Sequence, residues 1–404
     1  MRYISLFSGI GGLESAKENP LMLCEKDPNC IKYLKSKYRN SDHVADVKIL
    51  SVPSKKLPKV DIVTGGWPCQ DLSVAGDMKG FNGKKSVLFY DLLQVAINSK
   101  SESIIAENVP NLLTIDKGLV FATVLKELSN AGYKNISWRI INSREFNLPH
   151  QRRRLFIVAS KSEQISRNLF KEIKIKIFEP KEKLNVYSFY HTAGTHSICF
   201  SENYVPTLKV SGSGAAIFYK DIVRKITGDE ALRLQGFNAK EFKGFMESHK
   251  YAMAGNAVSK PIGKFIFKSI SSDTRNLELK NIQNAIDLFG DSVPLRNRVE
   301  NGIYIDGNIY EVLMPEKKLC SSLADFIDFN NNSYMSKTAI LGLLRRSFKA
   351  SKPIDLNLLN TMIDIVSEKS LIKEIGKKGI GELLQQNLKN EIYNDEEIEE
   401  GFNF

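Results

Sequence analysis

An α/β fold on a doubly wound parallel sheet is what this chain predicts, on two observations. Short β-branched runs alternate with helical patterns over residues 1–160, and a glycine-rich turn follows the first of those runs. The runs cover residues 3–7, 21–24, 61–64, 103–106, 137–141 and 155–159. The third, Val60-Asp61-Ile62-Val63-Thr64, is short and apolar, as a central parallel strand covered on both faces should be. Between 161 and 205 the alternation fails: a lysine-rich stretch, 171–183, is followed by a polar segment with His191 and His196 that reads as a loop. A strand and two helical patterns return over 206–270.

Residues 271–404 read as a separate, mostly helical module. It opens on an expected hairpin around Asp306-Gly307, continues in helical patterns near 337–349, 355–369 and 371–392, and ends in an acidic tail at 395–400.

The length of 404 residues allows two or three domains. No run of 18 apolar residues is present, so no membrane helix is expected, and Met1-Arg2-Tyr3-Ile4 leads into a strand instead of a signal peptide. Cys24, Cys30, Cys69, Cys199 and Cys320 are scattered and lack a Cys-x-x-Cys spacing. They fit a reducing cytoplasm, with no structural zinc or other metal. The net charge of +11 is uneven: residues 1–270 hold 41 Lys/Arg against 25 Asp/Glu, whereas 271–404 hold 16 against 21. A polyanionic partner such as nucleic acid suits the basic part.

Two turns at strand ends carry the chemistry. Gly65-Gly66-Trp67-Pro68-Cys69-Gln70 follows the third run, so a cysteine stands in a stiff turn where open α/β sheets bind ligands. The Ser-, Gly- and Lys-rich segment 72–85 after it is expected to form a mobile loop able to close over a substrate. The other turn is Phe7-Ser8-Gly9-Ile10-Gly11-Gly12-Leu13. Glu25, ending the second run, suits ribose hydroxyls, and Asp46 suits an adenine amine. An acid-lined pocket with a ring face at Phe7 favours the sulfonium of S-adenosyl-L-methionine over a nicotinamide diphosphate.

Further motifs follow in order: Glu107-Asn108-Val109 at the end of the fourth run, Arg152-Arg153-Arg154 before the sixth, Pro206-Thr207-Leu208, and Gly255-Asn256-Ala257-Val258. With the two turns, they make residues 1 to about 268 resemble the DNA (cytosine-5)-methyltransferases, bacterial type II modification enzymes among them. The resemblance implies a Rossmann-like S-adenosylmethionine-dependent methyltransferase sheet. It also implies duplex DNA as substrate, with the target base flipped out of the stack, and a cognate restriction endonuclease acting on the same site.

Cytosine C5 is a poor nucleophile, so the resemblance makes Cys69 the thiolate that adds at C6 and Glu107 the proton donor to N3. Arg154 is expected at O2, with Arg152 in support. The implied cofactor residues are Phe7, Ser8, Gly9, Gly11, Gly12, Leu13, Glu25, Lys26, Asp46, Val47, Gly66, Pro68, Asn256, Ala257 and Val258. The implied substrate residues are Gln70, Ser73, Asn108 and Val109. One departure is His150, which stands where the family has glutamine and is expected to pack or orient.

Residues 161–205 correspond to the family's variable recognition region, at about 45 residues a short one. It carries Lys171, Lys174, Lys176, Lys181 and Lys183 for phosphates, with Ser211-Gly212-Ser213-Gly214 as a loop near DNA. Residues 271–404 are then either further recognition surface or a dimerisation domain. A tRNA cytosine-5 methyltransferase and a non-catalytic DNA-binding regulator are the alternative functions; keeping Cys69, Glu107, Arg152 and Arg154 together argues against the second.

Overall fold

The computed structural model describes residues 1–14, 19–68, 87–177, 186–191, 198–210, 216–219, 222–272, 277–281, 299–305, 308–331, 334–350 and 356–366. Cys69, Gln70, Ser73, the 72–85 segment, Lys181, Lys183, His196, the 211–214 loop, the helical pattern at 371–392 and the acidic tail lie outside them.

Each β-branched run forms a strand: β1 (Tyr3–Leu6), β2 (Met22–Cys24), β4 (Ile62–Gly66), β5 (Ser103–Asn108), β6 (Asn135–Asn142) and β8 (Arg153–Ser160), with β3 (Asp42–Val44) and the short β7 (His150–Gln151) besides. Strands β3, β2, β1, β4 and β5 lie side by side and parallel. The sheet is not parallel throughout, however. Strand β8 pairs antiparallel with both β5 and β6, because the link from β6 to β8, residues 143–152, is too short for a crossover helix.

Side chains alternate between the two faces. On β8, Leu155, Ile157 and Ala159 face one core with β5's Ile104 and Ala106, and with Phe89 and Leu92 of α2 (Val87–Asn98) and Phe121 and Leu125 of α3 (Leu119–Asn130). Phe156 and Val158 face the other, with Ile262, Ile266 and Phe267 of α7 (Lys260–Ile270). Helix α1 (Pro28–Lys37) starts where Asp27 accepts from the Asn29 and Cys30 amides, ahead of a proline at its first position.

The strands of the expected hairpin pair as β15 (Asn301–Ile305) and β16 (Asn308–Val312), with Asp306 and Gly307 outside the described residues, but they do not open a free-standing module. Strand β15 pairs antiparallel with β6, and β14 (Leu279–Asn281) with β16, so the sheet grows to ten strands in the order β14-β16-β15-β6-β8-β5-β4-β1-β2-β3. The reason is local. Gly302 lies opposite Trp138, whose ring would stand 2.2 Å from any Cβ there, and the indole N–H donates to Val299 O at 2.8 Å.

The segment read as a loop also folds into strands. β9 (Tyr187–His191) and β10 (Ile198–Glu202) join β12 (Ala216–Tyr219) and β13 (Ile222–Lys225) in a second, antiparallel sheet ordered β10-β9-β12-β13. β11 (Val205–Pro206) pairs in parallel with β7. After the short α4 (Glu163–Arg167), helices α5 (Gly228–Leu234) and α6 (Glu247–Asn256) precede α7; α5 opens on a capping box of Thr227 and Glu230. The expected C-terminal helices are α8 (Lys337–Ala350) and α9 (Leu356–Val366). Among the described residues no helix is long and apolar enough to cross a membrane.

Candidate active site

The carboxyl ends of β1, β4 and β5 meet at one cavity. It is walled by Ser5 to Gly9, Gly12 to Glu14, Gly66, Glu107 and the stretch Asn256-Ala257-Val258. The glycine turn forms there because the chain must reverse at once after β1: Phe7, Gly9 and Gly11 have φ of 52°, 55° and 79°, and the Gly11 amide closes the turn on Ser8 O at 2.9 Å.

Gly12 is needed for a different reason. A Cβ on it would stand 2.0 Å from Val258 O, and one on Gly263 would stand 2.1 Å from Gly12 O. Backbone against backbone, the turn therefore holds the Gly-Asn-Ala-Val segment in the cavity wall. Buried Gln235 secures that segment from behind, donating to Ala254 O at 2.7 Å and Ala257 O at 3.3 Å and accepting from Ser259.

Glu25 accepts from the Gly9 amide at 2.7 Å and from the Lys26 and Asp27 amides at 2.8 Å, which fixes its carboxylate beside the turn. Asp46 caps the short helix Val47–Ile49 by accepting from the Lys48 amide. Glu25, Lys26, Asp46 and Val47 stand past the ends of β2 and β3 and do not line the cavity; nor do Gly11 and Pro68.

Sequence reasoning missed Glu14, which does line it. Its Oε1 accepts from Ser5 at 2.7 Å, the Ser5 hydroxyl also meets Ser8, and Oε2 is buried with no hydrogen bond. Burial pushes this carboxyl up to about 7, against the opposing pull of Ser5, the Leu13 and Glu14 amides and Lys260. The narrow glycine walls and the unpartnered carboxyl oxygen fit a ligand with an extended backbone-like chain and a positive centre, as S-adenosylmethionine has.

Across the cavity, Gly66 and Glu107 are register partners on β4 and β5. The Glu107 Oε2 lies 2.6 Å from where a Gly66 Cβ would be, so only glycine admits the carboxylate over that strand end. Glu107 Oε1 meets Arg154 Nε at 3.1 Å, with both side chains only 14% exposed. The neighbouring Asn108 donates to Trp67 O at 3.1 Å and accepts from the Val109 amide, so it braces the Trp67-Pro68 turn two residues before Cys69.

Arg152 is placed differently. Its guanidinium is buried and donates to Gly255 O at 3.0 Å and Leu208 O at 3.5 Å, so it ties two motif segments together and has no hydrogen bond to Glu107. Burial disfavours its charge, Arg154 adds repulsion and Glu107 counters it. His150 is buried and accepts the Leu208 amide at Nε2. Burial, then Arg152 and Arg154, pushes it well below the usual imidazole range, so it is neutral and orients this crossing. Of the other cysteines, Cys24 is buried, and burial followed by Glu25, Asp46 and Asp91 pushes its thiol up to about 12, which rules it out as a nucleophile.

Comparison with known proteins identifies the family. The family model for the C-5 cytosine-specific DNA methylases matches residues 1–209 and 181–272. The type II methyltransferase M2.BsuMI of Bacillus subtilis is 31% identical over 308 residues, covering 67% of this chain and 75% of that protein. Type II methyltransferase M.HaeII of Haemophilus aegyptius is 29% identical over 316 residues, covering 70% and 97%. Among solved structures, the S. pombe Dnmt2 methyltransferase aligns with a TM-score of 0.49 at 16% identity, over 67% of this chain and 98% of that one. The chain belongs to the C-5 cytosine-specific DNA methylases, enzymes that take their methyl group from S-adenosyl-L-methionine.

Proposed function

We propose that this protein is the modification methylase of a type II restriction system, methylating C5 of a cytosine flipped out of duplex DNA through a covalent bond from Cys69 to C6. The observation that carries this reading is the Glu107–Arg154 pair seated over Gly66, three residues ahead of Cys69.

The Cys69 thiolate adds to C6, and the ring electron pair moves toward C5 as Glu107 delivers a proton to N3 and Arg154 donates to O2. S-adenosylmethionine supplies an electrophilic methyl group on a sulfonium centre. Once C5 carries the methyl group, its proton leaves to solvent, the C6–S bond breaks to return the thiolate, and N3 gives its proton back to Glu107. Asn108 ties Trp67, two residues ahead of Cys69, to the strand that bears Glu107, while Arg152 and His150 hold the strand that bears Arg154.

Bisulfite sequencing of DNA from cells expressing the protein tests the reading. Methylation of one cytosine in a fixed short sequence is expected, together with resistance of that sequence to a matching nuclease and loss of both in Cys69→Ala. Absence of 5-methylcytosine from DNA, its appearance only in tRNA, or its persistence in Cys69→Ala would refute the proposal.

A further inference from the structure

In the second sheet, β12 is covered on both sides. On β12, Ala216 and Phe218 point one way and Ile217 and Tyr219 the other, and all four are at most 4% exposed. Ala216, Phe218 and Val223 form a core of their own with Ile340, Leu343 and Leu344 of α8 and Leu359, Met362 and Val366 of α9. Ile217 and Tyr219 pack with α5 and with Leu323, Ala324 and Ile327. Residues from the C-terminal third thus cover β12 on both sides.

The join is polar as well as apolar. Arg224 and Glu230, both 0% exposed, form a two-pronged pair at 2.6 and 2.9 Å. Asp328 completes it, its carbonyl accepting from Arg224 at 2.9 Å and its amide donating to Glu230 at 2.7 Å. Burial alone would raise the Glu230 carboxyl, but Arg224 and the Thr227 and Asp328 amides hold it below the usual carboxylate range. The Met335 amide donates to Val223 O, the Leu323 amide to Asn203 O and the Tyr219 hydroxyl to Phe329 O, each at 3.0 or 3.1 Å.

Charge then singles out one surface of this body. Residues 271–404 are net negative, yet between Asp328 and Asp355 there is no acid and there are five bases: Lys337, Arg345, Arg346, Lys349 and Lys352. Helix α8 turns Ile340, Leu343 and Leu344 inward and leaves Lys337, Thr338 and Arg345 exposed. Two helical turns separate the two bases, so they share a side of the helix.

We propose that residues 313–366 are the second layer of the DNA-recognition domain, and that the outer side of α8 grips the phosphate backbone of the duplex through Lys337 and Arg345. This rests on the DNA-methylase reading above. With β12 covered on both sides, its strand cannot lie against bases, and phosphate contacts from α8 fix the register of the domain on the duplex.

The test is DNA binding by the full-length Lys337→Ala/Arg345→Ala protein, titrated over a range of salt concentrations. Removal of a single phosphate-binding charge lowers the slope of log affinity against log salt by about 0.9, so a fall of roughly 1 to 2 is expected, with affinity down about tenfold or more at low salt and Lys337→Glu/Arg345→Glu weaker still. Affinity for S-adenosylmethionine by calorimetry should not change, which also checks the fold. Unaltered slope and affinity in both variants would overturn the inference and leave the catalytic reading standing. A wild-type protein with no affinity for duplex DNA would remove both.

Discussion

Replacing Glu14 by glutamine should stabilise the ligand-free protein, and by an amount that grows with pH. The carboxyl is fully buried, its Oε2 lacks a partner, and burial pushes it from 4.5 up to about 7. A folded value above the unfolded one means that the protonated form is favoured by folding. Its contribution is full below 4.5 and is lost as the pH rises through about 7. The displacement corresponds to about 3 kcal/mol, of which about 2 falls between roughly pH 5.5 and 8.5. Glutamine keeps the oxygen that accepts from Ser5 and cannot ionise, so this dependence on pH disappears. Denaturant unfolding of both proteins at a series of pH values measures it: the variant's advantage should widen by about 2 kcal/mol across that interval. A constant gap, or one that narrows as pH rises, would show that Glu14 is not a buried carboxyl titrating near neutrality.

Arg224→Met should cost about 3–5 kcal/mol, because it strands the Glu230 carboxylate in a fully buried position; thermal or denaturant unfolding would read it, and a loss below about 1 kcal/mol would contradict the pairing. In the wild type the stability from Glu230 is full above 4.5 and falls away as the pH drops through its lowered folded value, so acid unfolding should begin earlier than in a protein lacking such a pair. Gly12→Ala must push the turn away from the Gly-Asn-Ala-Val backbone, since a Cβ there would stand 2.0 Å from Val258 O. It should cost about 3 kcal/mol or more and weaken S-adenosylmethionine binding at least about tenfold by calorimetry. Wild-type affinity in that variant would mean the close approach is not what shapes the pocket.

Much of the catalytic sheet was legible because its strands are short β-branched runs bounded by turn residues, and because its motif residues stand at strand ends, where position along the chain translates directly into position around the cavity. Glu107, Arg154 and Gly66 come together for that reason. Direction was less legible than existence. Nothing in the composition of residues 153–160 marks β8 as antiparallel; only the length of its link to β6 does.

Pairings across great separations were not legible at all. The docking of Gly302 under Trp138 depends on a ring 164 positions earlier; β9 and β10, by contrast, look like loop because the polar Ser188 and Ser201 find their partners, each other and Tyr204 O, only once the strands pair. Glu14 and Gln235 were missed since each reads as an ordinary helical residue until burial shows what it holds. The arginine run named its members without separating them: Arg154 turns to the acid, while Arg152 turns to two carbonyls that only the folded chain brings near.

The pairing of β15 with β6 sets a limit on how this enzyme can be dissected. Without residues 299–312, the eight-residue β6, seven of whose residues are buried, would become the outer strand of the sheet, offering a long row of free amides and carbonyls to any extended chain nearby. A polypeptide ending near residue 270 would keep every catalytic motif and still be prone to clump, so the work of the C-terminal third has to be probed by point substitutions in the whole protein. During synthesis the same exposed strand must wait until the hairpin leaves the ribosome, which makes that interval the moment when a chaperone is of most use.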